Sequence, residues 1–184
     1  MVVVQDTRRT IDEVVSEQIA NGLTMLSWTP YLSVDEMAAR NRRGTTSTRK
    51  HLNRAENAGL VTHVMHGLHG RKGRRRYMLT GKGVETLAEM EQVRVADIMG
   101  RPGTTGRALA TYHRRIDILE GVYRTAATIA ACSDEPELQV HIPREGPLDG
   151  LVRMPESRRS FGVMAKRPVI DDNYFGLHVW RYKV

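Results

Sequence analysis

Cysteine and aromatic residues are scarce in this sequence. Cys132 is the only cysteine among 184 residues, which excludes an internal disulfide and a zinc site built on several thiolates. Because its neighbours are small residues at helical spacing, we expect Cys132 to be a buried structural thiol. Phe, Trp and Tyr make up 5% of the chain, which disfavours recognition of single strands by base stacking. We expect Trp28 and Trp180 to lie in the core instead.

Long apolar runs are also missing. No segment approaches the roughly 20 apolar residues that a bilayer-spanning helix needs. The apolar start, residues 1–6, is shorter than the core of a secretory signal. We therefore expect a cytoplasmic protein without membrane contact. No pattern in the sequence calls for a cofactor, a metal ion or a catalytic group, so we expect a protein that is not an enzyme.

Acidic residues are nearly absent from one strongly basic segment. Residues 40–76 contain eleven of the 28 Lys and Arg residues but only one of the 21 Asp and Glu residues, Glu56. The rest of the chain is slightly acidic, although the whole carries a net charge of +7. Such concentrated positive charge repels itself unless a polyanion neutralises it, and nucleic acid is the usual partner. An ordinary solvated surface is the alternative interpretation.

Three helices are predicted in the N-terminal part of the chain. Capping-box sequences begin the first helix at Thr10 and the second at Ser33, and apolar residues follow each of them at helical spacing. In the turn that follows the second helix, Gly44 is expected to take a positive φ. The third helix is predicted over residues 46–58, with Gly59 as its stop.

A hairpin and a fourth helix come next. Residues 60–65 and 76–79 have the composition of two strands, and the glycine-rich segment 67–73 joins them as a mobile tip. Thr80 is expected to cap the fourth helix. The predicted order is therefore helix, helix, turn, helix, strand, tip, strand, helix, which is the order of a winged helix-turn-helix.

This order predicts a surface for double-stranded DNA. The second and third helices pack through apolar residues and leave one polar face of the third helix free to enter the major groove. The hairpin would lie beside it, against phosphates or the minor groove. The DNA contacts expected in the third helix are Thr46, Ser47, Arg49, Lys50, Asn53 and Arg54. Those expected at the hairpin are Arg71, Lys72, Arg74 and Arg75, and those in the inter-helix turn are Arg42 and Arg43.

Four segments resemble known families. Residues 52–61, LNRAENAGLV, are similar to the end of the recognition helix in MarR-like regulators, and residues 77–87, YMLTGKGVETL, are similar to their wing-exit segment. This resemblance implies a winged-helix regulator that binds DNA in the nucleoid. Residues 107–117 and 147–155 resemble parts of the replication-relaxation proteins of plasmids and mobile elements. That second resemblance implies control of plasmid replication or transfer.

The C-terminal half is predicted to be a separate region. Gly-Arg-Pro-Gly at residues 100–103 marks the boundary between a DNA-binding domain, residues 1–100, and a second region, residues 104–184. The second region is predicted to begin with one long helix over residues 104–132, and strands with alternating apolar residues follow. The predicted fold class is α+β, an N-terminal winged helix-turn-helix followed by a long helix and a small C-terminal α/β region.

A nuclease-like C-terminal region is the main alternative. Asp149, Glu156 and Lys166 are the residue types that a metal-dependent nuclease uses, but the acid expected two residues before the lysine is Met164. The chain could therefore be a DNA-processing enzyme, or a fragment of one, with a degenerate nuclease-like region.

Two further interpretations concern metal ions and protein partners. His63, His66 and His69 are evenly spaced, as in a metal sensor, but a separation of three puts strand residues on opposite faces. Some winged helices bind proteins instead of DNA. A homodimer is also expected, since two-fold operators need two copies of the reader.

Overall fold

Short helices and antiparallel strands make up the chain, as a computed structural model shows for residues 16–66, 73–134, 138–143 and 148–164. By their contacts the residues divide into two units, Met1–Arg114 and Arg115–Val184. Each unit combines helices with antiparallel strands, so the α+β class is confirmed at this level. The predicted boundary at residues 100–103 lies inside the first unit.

The first unit contains six helices and one hairpin among its described residues. Its elements are α1 (Glu17–Trp28), α2 (Val34–Arg40), α3 (Thr45–Asn57), β1 (Val61–His66), β2 (Arg74–Leu79), α4 (Gly81–Glu91), α5 (Val95–Met99) and α6 (Gly106–Arg114). The order of α2 to α4 is the predicted one. The predicted start of the first helix at Thr10 lies outside the described residues.

Apolar residues at helical spacing hold α1, α2 and α3 together. Ile19, Leu23 and Leu26 recur on one side of α1 and are buried. Met37 of α2 and Leu52 of α3 are buried as well, and with Ile19 and Leu23 they line one small cavity. Because α3 buries this side against α1 and α2, its opposite side is left exposed.

Side-chain caps fix where α2 and α4 begin, as the sequence predicts. The Ser33 hydroxyl accepts from the Glu36 amide at 3.3 Å, and the Ser33 amide donates to the Glu36 carboxylate at 2.8 Å, which completes a capping box. The Thr80 hydroxyl accepts from the Gly83 amide at 3.0 Å at the start of α4. Gly59 has φ 73 directly after α3, so its role as the helix stop is confirmed.

The turn between α2 and α3 differs from its prediction. Gly44 has φ −69, whereas Arg42 has φ 51 and is the residue in the left-handed region. The cause lies in the end of α2. The Arg42 amide donates to Ala39 and the Arg43 amide to Ala38, a Schellman pair of bonds that requires a left-handed residue at position 42. Gly44 then serves as the extended residue that precedes α3.

The hairpin of β1 and β2 is anchored at its root by a third chain segment. Val61 pairs with Leu79 and His66 pairs with Arg74 at its two ends, so both strands are longer than predicted on the tip side. Leu32 forms an antiparallel bridge with Tyr77, beside β2. The hairpin root is therefore held by the segment that links α1 to α2.

Residues 100–103 pack on α1 instead of forming an open linker. The Gly103 amide donates to the Ser27 carbonyl at 2.7 Å, and a Cβ added to Gly103 would lie 2.1 Å from the Leu26 carbonyl oxygen.

Trp28, predicted to be a core residue, is 51% exposed, and the Arg101 guanidinium lies 5.2 Å from its ring centroid. The Arg101 guanidinium packs on the Trp28 indole, where we expected apolar side chains. Trp180 lies outside the described residues.

The second unit places one helix on an antiparallel sheet. The elements among its described residues are α7 (Ile116–Cys132), β3 (Gln139–His141), β4 (Gly150–Met154) and β5 (Arg159–Val163), and the sheet order is β3-β4-β5. Leu138 and Ile142 are buried, in keeping with the predicted alternation. Val152 is fully buried, and Gly150 lies so close to α7 that an added Cβ would be 2.3 Å from a Val122 methyl.

Three predictions for the C-terminal half are wrong. The single long helix is divided, because Arg115 has φ −109 and ψ 18 and separates α6 from α7. The Arg115 guanidinium bonds Asp149 at 3.1 Å, a partner 34 residues away that no local pattern reveals. Cys132 is exposed, since α7 ends there and its last turn extends past the sheet-facing stripe. Phe161 is 42% exposed, although its strand was expected to bury it.

Candidate nucleic-acid interface

One face of α3 is polar, basic and exposed. Leu52 and Ala55 are buried, and Thr48 and His51 beside them are half-buried. Since 3.6 residues make one turn, these four lie on one side and leave the opposite side to solvent. The exposed residues of α3 that were predicted to contact DNA are Thr46, Ser47, Arg49, Lys50, Asn53 and Arg54.

A groove separates this face of α3 from the hairpin. Its volume is about 470 Å³, and it brings side chains from α3 together with side chains from β2. The lining residues are Ser33, Val34, Asp35, Arg49, Asn53, Arg74, Arg75 and Tyr77. Two predicted residues of the helix and two predicted residues of the hairpin therefore share one concave surface.

The remaining predicted residues of α3 lie outside that groove. At 100° per residue, Thr46 and Lys50 point straight away from the buried side, with Asn53 next to them. Arg49 lies on the flank that borders the groove, whereas Ser47 and Arg54 lie on the other flank. The face is thus broad, and its basic residues extend on both sides of its centre line.

Each hairpin arginine in the groove faces a carboxylate. Arg74 Nη1 lies 3.5 Å from Asp35 of α2, and Arg75 Nη1 lies 3.5 Å from Glu56 of α3. Both pairs are solvent-accessible, so each contributes at most about 1 kcal/mol and exchanges readily for another anion. No local sequence pattern indicates these pairs, because Asp35 and Arg74 are 39 residues apart and Glu56 and Arg75 are 19 residues apart.

Arg76 differs from its two neighbours. It is 1% exposed, and its guanidinium donates to the Glu36 carboxylate at 2.5 Å and to the Tyr31 carbonyl at 3.3 Å. Arg76 belongs to the basic segment, residues 40–76, but is not among the predicted DNA contacts, and the structure places it in the interior. Its burial follows from the Leu32–Tyr77 bridge, which covers β2 at its root. Arg76 and Glu36 therefore tie the hairpin to α2.

The predicted residues of the turn are exposed near α3. Arg42 and Arg43 both lie on the surface, and Arg43 also borders a cavity of about 30 Å³ between the first three helices. His51 lines the same cavity, which has room for about one water molecule. Arg71 and Lys72, predicted for the hairpin tip, lie outside the described residues.

The three histidines of the metal-sensor interpretation do not converge in the described residues. His63 Nδ1 lies 2.5 Å from Glu56, and its ring is 5.8 Å from the ring of Tyr77. His66 is on the same strand but three residues further along, and His69 lies outside the described residues. Within the described ranges, no three His, Cys, Asp or Glu side chains are grouped so that they could hold a metal ion.

The two described residues of the nuclease interpretation, Asp149 and Glu156, have different surroundings. Asp149 is 3% exposed, and Arg115 holds its carboxylate at 3.1 Å. Glu156 lies in the exposed turn between β4 and β5, and Lys166 lies outside the described residues. A buried carboxylate that already faces an arginine has a structural explanation, so Asp149 gives no support to a nuclease site.

Comparison with known proteins gives one similar structure. No protein-family model matches the chain, and no curated protein matches it either. A crystal structure of a MarR family transcription regulator is similar, with 24% sequence identity, coverage of 68% of this chain and 81% of that chain, and a TM-score of 0.38. A TM-score of this size supports no inference about this chain. The resemblance to replication-relaxation proteins gains nothing from these comparisons.

In the described part of the chain, every helix is too short or too polar to cross a bilayer.

Proposed function

We propose that the first unit is a winged helix-turn-helix that binds double-stranded DNA. In this proposal α3 is the recognition helix, and the hairpin with its tip, residues 61–79, is the wing. The single observation that carries the proposal is the groove in which Arg49 and Asn53 of α3 meet Arg74 and Arg75 of β2.

The exposed face of α3 has the side chains that read base edges. A helix fits the major groove, where arginine and lysine suit the acceptors of guanine and asparagine suits adenine. We assign Lys50 and Asn53, at the centre of that face, to base contacts. Arg49 and Arg54 on its two flanks, with the hydroxyls of Thr46 and Ser47, would reach the phosphates on either side of the groove.

The wing contributes positive charge, and its contacts do not depend strongly on the base sequence. Arg74 and Arg75, together with Arg71 and Lys72 of the tip, would contact phosphates or the minor groove next to the recognition helix. The phosphates would replace Asp35 and Glu56 as partners of the two described arginines, at little cost because those pairs are exposed. Arg42 and Arg43 would add contacts to the backbone from the inter-helix turn.

Regulation of transcription is the process that we propose for this binding activity, without enzymatic activity or a cofactor. A cytoplasmic homodimer on a two-fold operator is part of the proposal, because one recognition helix covers only a half-site. Control of plasmid replication or transfer is a narrower version, and it rests only on the resemblance of residues 107–117 and 147–155. Sedimentation at several protein concentrations would test the dimer.

The salt dependence of duplex binding tests the proposal. Fluorescence anisotropy with a mixed-sequence duplex, repeated across a salt series, gives the slope of log K against log salt. We expect a steep slope, and we expect Arg49→Ala and Arg75→Ala each to reduce it by about 0.9, the value for one phosphate contact.

Arg94→Gln is the matched control. Arg94 is an exposed arginine of the same unit, at the start of α5, and among the described residues its side chain pairs with Asp97 alone. This variant should leave the slope unchanged. Duplex binding that is absent at low salt, or a slope that Arg94→Gln lowers as much as Arg49→Ala does, would contradict the proposal. Selection of bound sequences from a random pool would then identify the operator.

A further inference from the structure

Glu56 is shared between two side chains of the hairpin. Its Oε1 lies 2.5 Å from His63 Nδ1, and its Oε2 lies 3.5 Å from Arg75 Nη1. The register His63–Tyr77 and Met65–Arg75 puts His63 and Arg75 on the same face of the hairpin, as diagonal neighbours. One carboxylate at the end of α3 therefore holds both a titratable group and an arginine of the groove.

Few titratable or charged groups face His63 among the described residues. The groups that face it among the described residues are Glu56 from α3, and Tyr77 and Arg75 from β2. The charged groups among these three are one carboxylate, Glu56, and one guanidinium, Arg75. About a quarter of the His63 and Glu56 side chains is exposed, which lets a proton enter from solvent.

From this geometry we infer that protonation of His63 strengthens DNA binding by releasing Arg75 from Glu56. The inference rests on the proposed function, since it concerns the affinity of the same interface. In the neutral imidazole the nitrogen that faces the carboxylate carries the proton, and Glu56 keeps a full negative charge beside Arg75. A second proton, taken from solvent onto Nε2, makes the His63–Glu56 pair neutral overall. The attraction of Glu56 for Arg75 then falls, and a phosphate competes more easily for the guanidinium.

The direction of the pH effect follows from linkage. If protonated His63 favours the complex, then the complex favours protonated His63 by the same factor, and binding takes up protons. Affinity therefore rises as pH falls from about 8 to about 6, the range in which histidine side chains gain a proton. We expect a change of about threefold, the size that one exposed charge pair contributes.

The second arginine of the groove gives an internal control. Arg74 pairs with Asp35 at the same distance, 3.5 Å, but no histidine bonds Asp35 among the described residues. Asp35→Asn should therefore raise affinity for duplex equally at both pH values. Glu56→Gln should raise affinity mainly at the higher pH, so that most of the pH dependence disappears.

The experiment measures duplex affinity of the full chain at about pH 8 and about pH 6 at constant ionic strength. His63→Gln should lose the threefold gain, while it keeps a side chain that can bond Glu56. His66→Gln is the matched control, since His66 is on the same strand but on the opposite face, and this variant should keep the gain. Calorimetry in two buffers of different ionisation enthalpy should show proton uptake by the parent protein and less uptake by His63→Gln.

The outcomes separate this inference from the proposed function. Absence of duplex binding by the parent protein at both pH values would defeat the proposed function and this inference with it. Duplex binding in which His63→Gln keeps the pH dependence and proton uptake of the parent would defeat the inference alone. Circular dichroism of each variant at both pH values establishes that the fold is unchanged.

Discussion

At the scale of single residues, three consecutive arginines have two different roles. Arg74 and Arg75 are exposed and face carboxylates in the groove, whereas Arg76 is buried against Glu36. The sequence predicts DNA contacts for Arg74 and Arg75 and places Arg76 in the returning strand, but it gives no sign that Arg76 is buried against an acid. The difference comes from the segment that links α1 to α2, where Leu32 bridges to Tyr77 and the Tyr31 carbonyl accepts a bond from Arg76.

This difference predicts that two nearby substitutions change the free energy of unfolding by very different amounts. Arg76→Ala leaves the buried Glu36 carboxylate without its cation, and we expect the free energy of unfolding to fall by about 3–5 kcal/mol. Arg74→Ala removes an exposed pair, and the expected change is within about 0.5 kcal/mol. Urea denaturation followed by circular dichroism measures both. Equal stability of the two variants would show that the Glu36–Arg76 pair does not anchor the hairpin.

Glu91 predicts a pH dependence of stability. The bond that it accepts from Arg101 holds the pKa of Glu91 below its ordinary value. A group with a lowered folded-state pKa stabilises the fold above its unfolded pKa, and that contribution is lost as pH falls through the folded one. The parent should therefore exceed Arg101→Gln in stability by the largest margin near neutral pH, and that margin should shrink below about pH 4. Thermal melts across that range measure it, and a difference that grows on acidification would contradict the assignment.

At the scale of elements, local chemistry made α2, α3 and the start of α4 predictable. The caps at Ser33 and Thr80 and the stop at Gly59 involve residues within a few positions of each other, and a sequence pattern contains all of that information. The helix break at Arg115 was not predictable in this way, because its partner Asp149 is distant in sequence. The exposed face of α3 and the hairpin beside it could be predicted from the order of the elements, but the carboxylate partners of the hairpin arginines could not.

Gly103 shows the same limit and gives a test. A glycine next to proline reads as a linker, yet Gly103 lies against the end of α1, where a Cβ would meet the Leu26 carbonyl at 2.1 Å. Gly103→Ala should therefore destabilise the first unit, by about 1–3 kcal/mol. Gly106→Ala is the matched control, because nothing lies within 4 Å of its added Cβ and alanine favours the helix α6. Equal melting temperatures for both variants would mean that residues 100–103 do not pack as described.

At the scale of the whole molecule, charge was the most informative property of the sequence. The basic segment, residues 40–76, forms α3 and most of the hairpin, and both lie in the first unit. Composition predicted that a polyanion binds there. It did not predict that Asp35 and Glu56 form ion pairs with the groove arginines in the free protein. Those acids lower the effective positive charge, so binding depends on how readily phosphates displace them.

Photo-crosslinking to a duplex tests the central claim, that α3 and the hairpin face the same DNA. A photoreactive phenylalanine analogue would replace Thr46 on the outer face of α3, or Met65, which is 62% exposed on the hairpin. The same analogue at Glu89, an exposed position of α4, serves as the control. We predict that positions 46 and 65 both crosslink to duplex DNA and that position 89 does not. Crosslinking from position 89, without crosslinking from 46 and 65, would contradict the account.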